Sequence, residues 1–75
     1  MPSFRITVTN EQFRACNDYD LPSWEAARSH GIRGALNIGT DEILSGKAFF
    51  GAEVKVESDA EVARFVVSVG ASSLS

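Results

Sequence analysis

Residues 21–39 read LPSWEAARSHGIRGALNIG and separate two strand-like halves of the chain. Pro22 followed by Ser23 is typical of a helix entrance, with Ser23 as the N-cap and Glu25 in the first turn, where a negative charge suits the helix dipole. Gly46, which follows DEILS, is suited to a left-handed cap at the far end. The sequence therefore predicts one main helix in the middle of the chain.

Glycines recur inside this predicted helix at Gly31, Gly34 and Gly39. Each glycine in a helix costs about 0.5–1 kcal/mol relative to alanine, so these positions need a reason. Small side chains would let the helix backbone approach a sheet closely, and we expect Ala27, Gly31, Gly34 and Ala35 to do so. A kink or break near Gly31 or Gly39 is the alternative.

Alternating apolar residues predict two strands on each side of the helix. The predicted strands are FRITVT (4–9), QFRAC (12–16), FFGAEVKVE (49–57) and VARFVVSV (62–69), with NDYD (17–20) as a loop. This order predicts an α+β fold of ββαββ topology, an antiparallel four-stranded sheet with one main helix packed on one face. We assign residues 1–69 to a single domain and 70–75 to a flexible C-terminal tail.

Four large apolar residues are predicted to lie largely in the core: Trp24, Ile38, Phe50 and Phe65. A chain of 75 residues buries only about 60% of its unfolded surface, so a small domain of this kind needs an additional source of stability. Oligomerisation is a common one, and we expect a homodimer that also binds an unidentified protein.

The chain contains one cysteine, Cys16, and one histidine, His30, with a net charge of −3. An intramolecular disulfide and a Cys/His zinc cluster are therefore excluded. We interpret Cys16 as a surface thiol and His30 as a solvated side chain on the polar helix face. The sequence predicts no enzyme, no cofactor and no metal site, and indicates a module that acts through protein–protein contacts.

The N-terminal residues MPSFRITVTN lack the basic start and apolar run of a secretory signal. No stretch approaches the roughly 18 apolar residues of a membrane span. With a single thiol, the sequence predicts a cytoplasmic protein without a membrane partner.

The segment Gly31-Ile32-Arg33-Gly34 allows a different interpretation, as a nucleic-acid-binding loop. Its G-x-x-G pattern is that of the loop that clamps the nucleic-acid backbone in K-homology domains, and Arg33 would lie at the loop tip. The acidic composition opposes this alternative, because nucleic-acid affinity depends largely on positive charge.

The sheet face away from the helix offers a second candidate site for an anionic partner. The predicted registers place four basic residues there: Arg5, Arg14, Lys55 and Arg64. Opposed by Glu53 and Glu57 alone, they would give this face a net charge of +2, four basic against two acidic residues. Cross-strand ion pairing on a solvated sheet is the simpler interpretation.

The same face leaves room for self-association. Val66 and Cys16 lie on it, flanked by Thr7 and Thr9, and would give it a partly apolar character. Unprotected edge strands offer a second route to a dimer.

Short motifs along most of the chain carry a family resemblance. An MPxF start leads into the first strand, NDYD follows, and the helix begins with LPxxEAAR before DEI (41–43) and a closing hairpin. In these features the chain resembles a family of small uncharacterised bacterial proteins, common in alphaproteobacteria. The resemblance implies the α+β fold and no particular activity. The chain departs from the pattern where the acidic loop lacks a glycine and where Glu61 occupies the last turn.

A more distant resemblance is to small antitoxin domains of the HicB kind, in which strands precede an EAA-type helix. Here the matching features are the element order and the helix start at residues 25–27. This resemblance implies a dimeric toxin-neutralising or regulatory partner.

Overall fold

The computed structural model describes residues 1–74 as four strands and one helix. In chain order the elements are β1 (Ser3–Thr9), β2 (Arg14–Asp20), α1 (Trp24–Leu44), β3 (Phe49–Glu57) and β4 (Val62–Gly70). The strands form one antiparallel sheet in the order β2-β1-β3-β4, and α1 packs over β3 and its neighbours. The predicted ββαββ fold is confirmed. No helix in the described part of the chain is long and apolar enough to cross a membrane.

Both predicted ends of the helix are confirmed. The Ser23 hydroxyl accepts a hydrogen bond from the Ala26 backbone N–H at 3.1 Å, which satisfies one of the free amides of the first turn. At the other end Gly46 has a φ of 115°, and its N–H donates to the Ile43 carbonyl at 3.1 Å. Glycine adopts this left-handed conformation without steric cost, so it ends the helix here.

The helix is continuous through all three internal glycines, and its buried residues recur every four positions: Ala27, Gly31, Ala35 and Gly39. A Cβ atom on Gly31 would lie 2.8 Å from Cγ1 of Val54, and one on Gly39 would lie 2.7 Å from Cδ2 of Phe50. Glycine is required at both positions because the helix lies directly on the side chains of β3.

Gly34 does not belong to this close contact, so that part of the prediction was wrong. Nothing lies within 4 Å of the position that its Cβ would occupy. The small residues that face the sheet recur every four positions and include Ala35 and Gly39. Gly34, one residue before Ala35, therefore lies on the side of the helix.

The second strand is longer than predicted, because NDYD is part of β2 rather than a loop. Its register pairs Tyr19 with Phe4 and Asp18 with Arg5. Asparagine and aspartate have low strand propensity, but β1 offers backbone partners along its whole length, and this pairing outweighs local preference. The turn that connects β1 to β2 lies before Arg14. There the Asn10 side-chain oxygen accepts hydrogen bonds from the backbone N–H groups of Gln12 and Phe13.

The core lies between α1 and the three strands beneath it, and Phe50, Val54 and Val56 are fully or almost fully buried. The prediction of a buried Phe50 is confirmed, whereas Trp24, Ile38 and Phe65 are only half-buried. A single helix is too narrow to cover a four-stranded sheet, so large side chains along its two sides keep part of their surface in water.

The last strand runs one residue further than predicted, into the expected C-terminal tail. Gly70 belongs to β4, and the Ala71 backbone N–H donates to the Ala48 carbonyl at 2.9 Å. Ser75, the last residue of the predicted tail, lies outside the described residues.

Candidate interaction surfaces

The segment Gly31–Gly34 is not a loop, so the proposed K-homology-like site is wrong. These residues lie in the middle of α1, where backbone N–H groups donate to carbonyls one turn earlier. The amides are therefore not free to bind phosphate. Gly31 is buried against the sheet, and Arg33 projects from the opposite, exposed side of the helix.

The sheet face opposite α1, here called the open face, does carry the four predicted basic residues Arg5, Arg14, Lys55 and Arg64. It also carries four acidic residues: Asp18, Asp20, Glu53 and Glu57. The net charge of the open face is therefore zero rather than +2. The difference arises because β2 continues through Asp20 and adds two carboxylates that the sequence analysis had placed in a loop.

Within residues 1–74, two ion pairs connect charges on the open face, one between β1 and β2 and one within β3. Arg5 lies between Asp18 on β2 and Glu57 on β3, and its Nε donates to Asp18 Oδ1 at 2.9 Å. This hydrogen bond lowers the pKa of Asp18 below its ordinary value and raises the pKa of Arg5. Lys55 Nζ lies 3.6 Å from Glu57 Oε1. On the β1–β2 side of the open face, Arg5 is thus directed at a carboxylate of the same face.

The β3–β4 side of the open face is different, because it exposes large apolar side chains. Val62 is 59% exposed and Val66 is 75% exposed, and both lie on β4. Phe49 on β3 is 67% exposed, with its ring against the backbone of Gly51. These three side chains, together with the outer edge of β4, are called the β4 surface below.

The two edge strands have contrasting compositions. β2 reads RACNDYD and carries Arg14, Asp18 and Asp20, whereas β4 reads VARFVVSVG and carries one charge, Arg64. β4 also pairs with β3 over nine consecutive positions without a bulge. Charges, prolines and bulges are the usual means by which an edge strand resists pairing with another chain, and of these β4 has only the single arginine.

The two sides of α1 also differ. Toward β2, the His30 ring packs on Tyr19 with ring centroids 4.2 Å apart, so His30 is half-buried rather than solvated as predicted. Toward β4, the Arg28 guanidinium lies 5.4 Å from the centre of the Phe65 ring. Ile32 and Leu36 follow Arg28 at intervals of one turn and extend this side of the helix with apolar surface.

The reactive side chains singled out in the sequence are not brought together. Cys16 is exposed on the open face, where its Sγ accepts a hydrogen bond from the Thr7 hydroxyl at 3.4 Å, while His30 lies on the helix side of the sheet. Among residues 1–74, no three His, Cys, Asp or Glu side chains cluster as a metal site.

The contrast between the two edge strands was not predicted from the sequence, although the alternation of apolar and polar residues correctly assigned the faces of β3 and β4. Which strands are edges depends on the strand order β2-β1-β3-β4, which is set by tertiary contacts. The signal that could have pointed to it is the run of apolar residues on both faces of β4, since a solvated strand normally alternates with polar residues.

Comparison of the chain with protein-family models, curated proteins and solved structures finds no match. The two family resemblances drawn from short motifs therefore stay predictions. Function has to be inferred from the surfaces of the molecule itself.

Proposed function

We propose that this protein is a non-enzymatic cytoplasmic module that acts through protein–protein contacts and forms a homodimer. The observation that carries this proposal is the β4 surface, where Val62, Val66 and Phe49 are exposed beside an unprotected strand edge. These side chains are spread along the length of β4, and covering exposed apolar surface of this kind is favourable because it releases ordered water.

The shape of the domain supports the same proposal. One helix on one sheet leaves a whole sheet face and part of the other uncovered. A second molecule against the β4 surface would supply the missing cover and add to the modest stability of a small domain.

The charge distribution does not favour the nucleic-acid alternative. The open face has as many acidic as basic residues, and Arg5 is held by Asp18. Arg33, the other proposed contact, projects alone from α1 without a glycine loop around it. A protein surface with mixed charges and an apolar strip is the better match to this face.

Sedimentation equilibrium of the full chain tests the proposal. We expect a mass approaching twice the 8.1 kDa of the monomer at hundreds of micromolar, with dissociation at low micromolar concentration. A monomer throughout this range would contradict the homodimer.

A matched pair of variants shows which part of the molecule is responsible. Val66→Lys places a charge at the centre of the β4 surface, and Asn17→Lys places the same charge at the centre of the β2 edge; both side chains are exposed. We expect only Val66→Lys to weaken self-association. Circular dichroism of both variants checks that the fold is kept.

A further inference from the structure

We propose that two copies of this chain pair antiparallel along β4, with a two-fold axis at Val66, to form a continuous eight-stranded sheet with both helices on the same face. The inference rests on the proposed function, because it names the surface and the geometry by which the homodimer forms.

The hydrogen-bond pattern of the β3–β4 hairpin shows which backbone groups of β4 point outward. The Ser58 N–H donates to the Glu61 carbonyl at 2.9 Å, and the Ala71 N–H donates to the Ala48 carbonyl at 2.9 Å. In an antiparallel pair, hydrogen-bonded positions alternate along each strand. Residues 63, 65, 67 and 69 therefore bond to β3, and residues 62, 64, 66, 68 and 70 direct their N–H and C=O groups toward the free edge.

The outward N–H and C=O groups of β4 favour one register for the pairing of two copies. Centring the two-fold axis on Val66 places Arg64 opposite Ser68 and Val62 opposite Gly70, so every outward N–H and C=O of β4 finds a partner. Moving the axis by one residue in either direction leaves an end of the strand unpaired. Moving it to Arg64 would place two arginines directly opposite each other, and like charges at such positions are destabilising.

The side chains are compatible with the same register. On the helix side of the sheet, Phe65 of one copy lies opposite Val67 of the other, and Ala63 lies opposite Val69. Aromatic and β-branched residues facing each other across strands are favourable pairs. The open face gains a central pair of Val66 side chains, which are 75% exposed in the monomer.

The helices add a second layer to this contact. Because Arg28 lies over Phe65 of β4, the same side of α1 faces the seam between the two copies. Ile32, one turn further along, is half-buried, and Leu36, two turns along, is 40% exposed. Pairing along β4 brings these apolar residues of the two helices toward each other. On the β2 side the helix presents His30 instead, and its ring packs on Tyr19 within the same molecule.

Disulfide cross-linking tests this geometry in the full-length protein. In a Cys16→Ser background, a Val66→Cys substitution places two thiols opposite each other at the two-fold axis. Opposed residues of a hydrogen-bonded antiparallel pair have Cα atoms about 5.5 Å apart, within the range that a disulfide spans. Val62→Cys is the register control, because Val62 would face Gly70 of the other copy. Asn17→Cys is the control for the β2 edge.

We expect the Val66→Cys variant to form a covalent dimer under mild oxidation about tenfold faster, or more, than either control at equal concentration. Comparable or faster cross-linking of Val62→Cys or Asn17→Cys would overturn the proposed pairing. Sedimentation of the Cys16→Ser parent separates the two proposals. A dimer whose Val66→Cys variant does not cross-link overturns the β4 pairing alone, whereas a monomeric parent overturns the homodimer as well.

Discussion

The two halves of the sheet, on either side of α1, differ in how closely the helix covers them and in how polar their edge strands are. The β2 half is only lightly covered by the helix, through His30 on Tyr19, and its strand is polar enough to remain in water. The β4 half packs closely under Gly39, yet its strand also exposes Val62 and Val66 on the open face and has only Arg64 to protect the edge of the sheet. A polar edge strand completes a sheet, whereas an apolar one is suited to receiving a partner.

The largest expected effect comes from truncating an aromatic side chain in each half of the sheet and comparing the losses of stability. Phe50→Ala removes a ring that is 4% exposed beneath Gly39, and such truncations cost about 3–5 kcal/mol. Tyr19→Ala on β2 removes a half-exposed ring and should cost much less. Since a domain of this size has a total stability of about 4–11 kcal/mol, urea titration should find Phe50→Ala unfolding at a much lower urea concentration than Tyr19→Ala. Equal losses would contradict the contrast.

Gly39→Ala tests how closely the helix approaches the β4 half. Its Cβ would lie 2.7 Å from the Phe50 ring and 3.0 Å from Cγ2 of Val69, and the Phe50 ring is buried in the core and cannot move away freely. Overpacking costs about 1–3 kcal/mol, which exceeds the about 0.5–1 kcal/mol gained in helix propensity. We expect a lower free energy of unfolding, measured by chemical denaturation. A more stable variant would show that α1 lies further from the sheet.

Gly34→Ala is the matched substitution on the β2 side of the same helix. Nothing lies within 4 Å of the added methyl group, so the substitution changes stability only through the higher helix propensity of alanine. We expect this variant to be more stable than the parent by about 0.5–1 kcal/mol. A destabilised variant in thermal unfolding would indicate that β2 is covered more tightly than the structure shows.

The smallest expected effect concerns the ion pair on the β2 half. Because the pKa of Asp18 is lowered from 3.8 by Arg5, its contribution to stability is present above the ordinary carboxyl pKa and is lost as the pH falls through the lowered one. Asp18→Asn should melt slightly below the parent at neutral pH, and the two melting temperatures should converge in acid. Glu57, the other acid beside Arg5, is present in both proteins. A difference that does not change with pH would contradict this assignment.

Local signals in the sequence were sufficient for much of the fold. Ser23 and Gly46 marked the ends of the helix, and alternation gave the faces of β3 and β4 correctly. The same alternation placed the basic residues on the open face. It failed for β2, where Asn17 and Asp18 have low strand propensity and are held by pairing with β1. That failure also produced the wrong net charge for the open face.

The sequence by itself determined the number, kind and order of the elements, because caps, turns and apolar periodicity act over a few neighbouring residues. Only the tertiary structure decided which strands are edges, which glycines touch the sheet and which charges neutralise each other. Each of these depends on pairing between distant parts of the chain, as between Arg5 and Asp18 or between Gly39 and Phe50. The apolar edge of β4 belongs to the second group, since a strand becomes an edge only when the order of its neighbours is fixed.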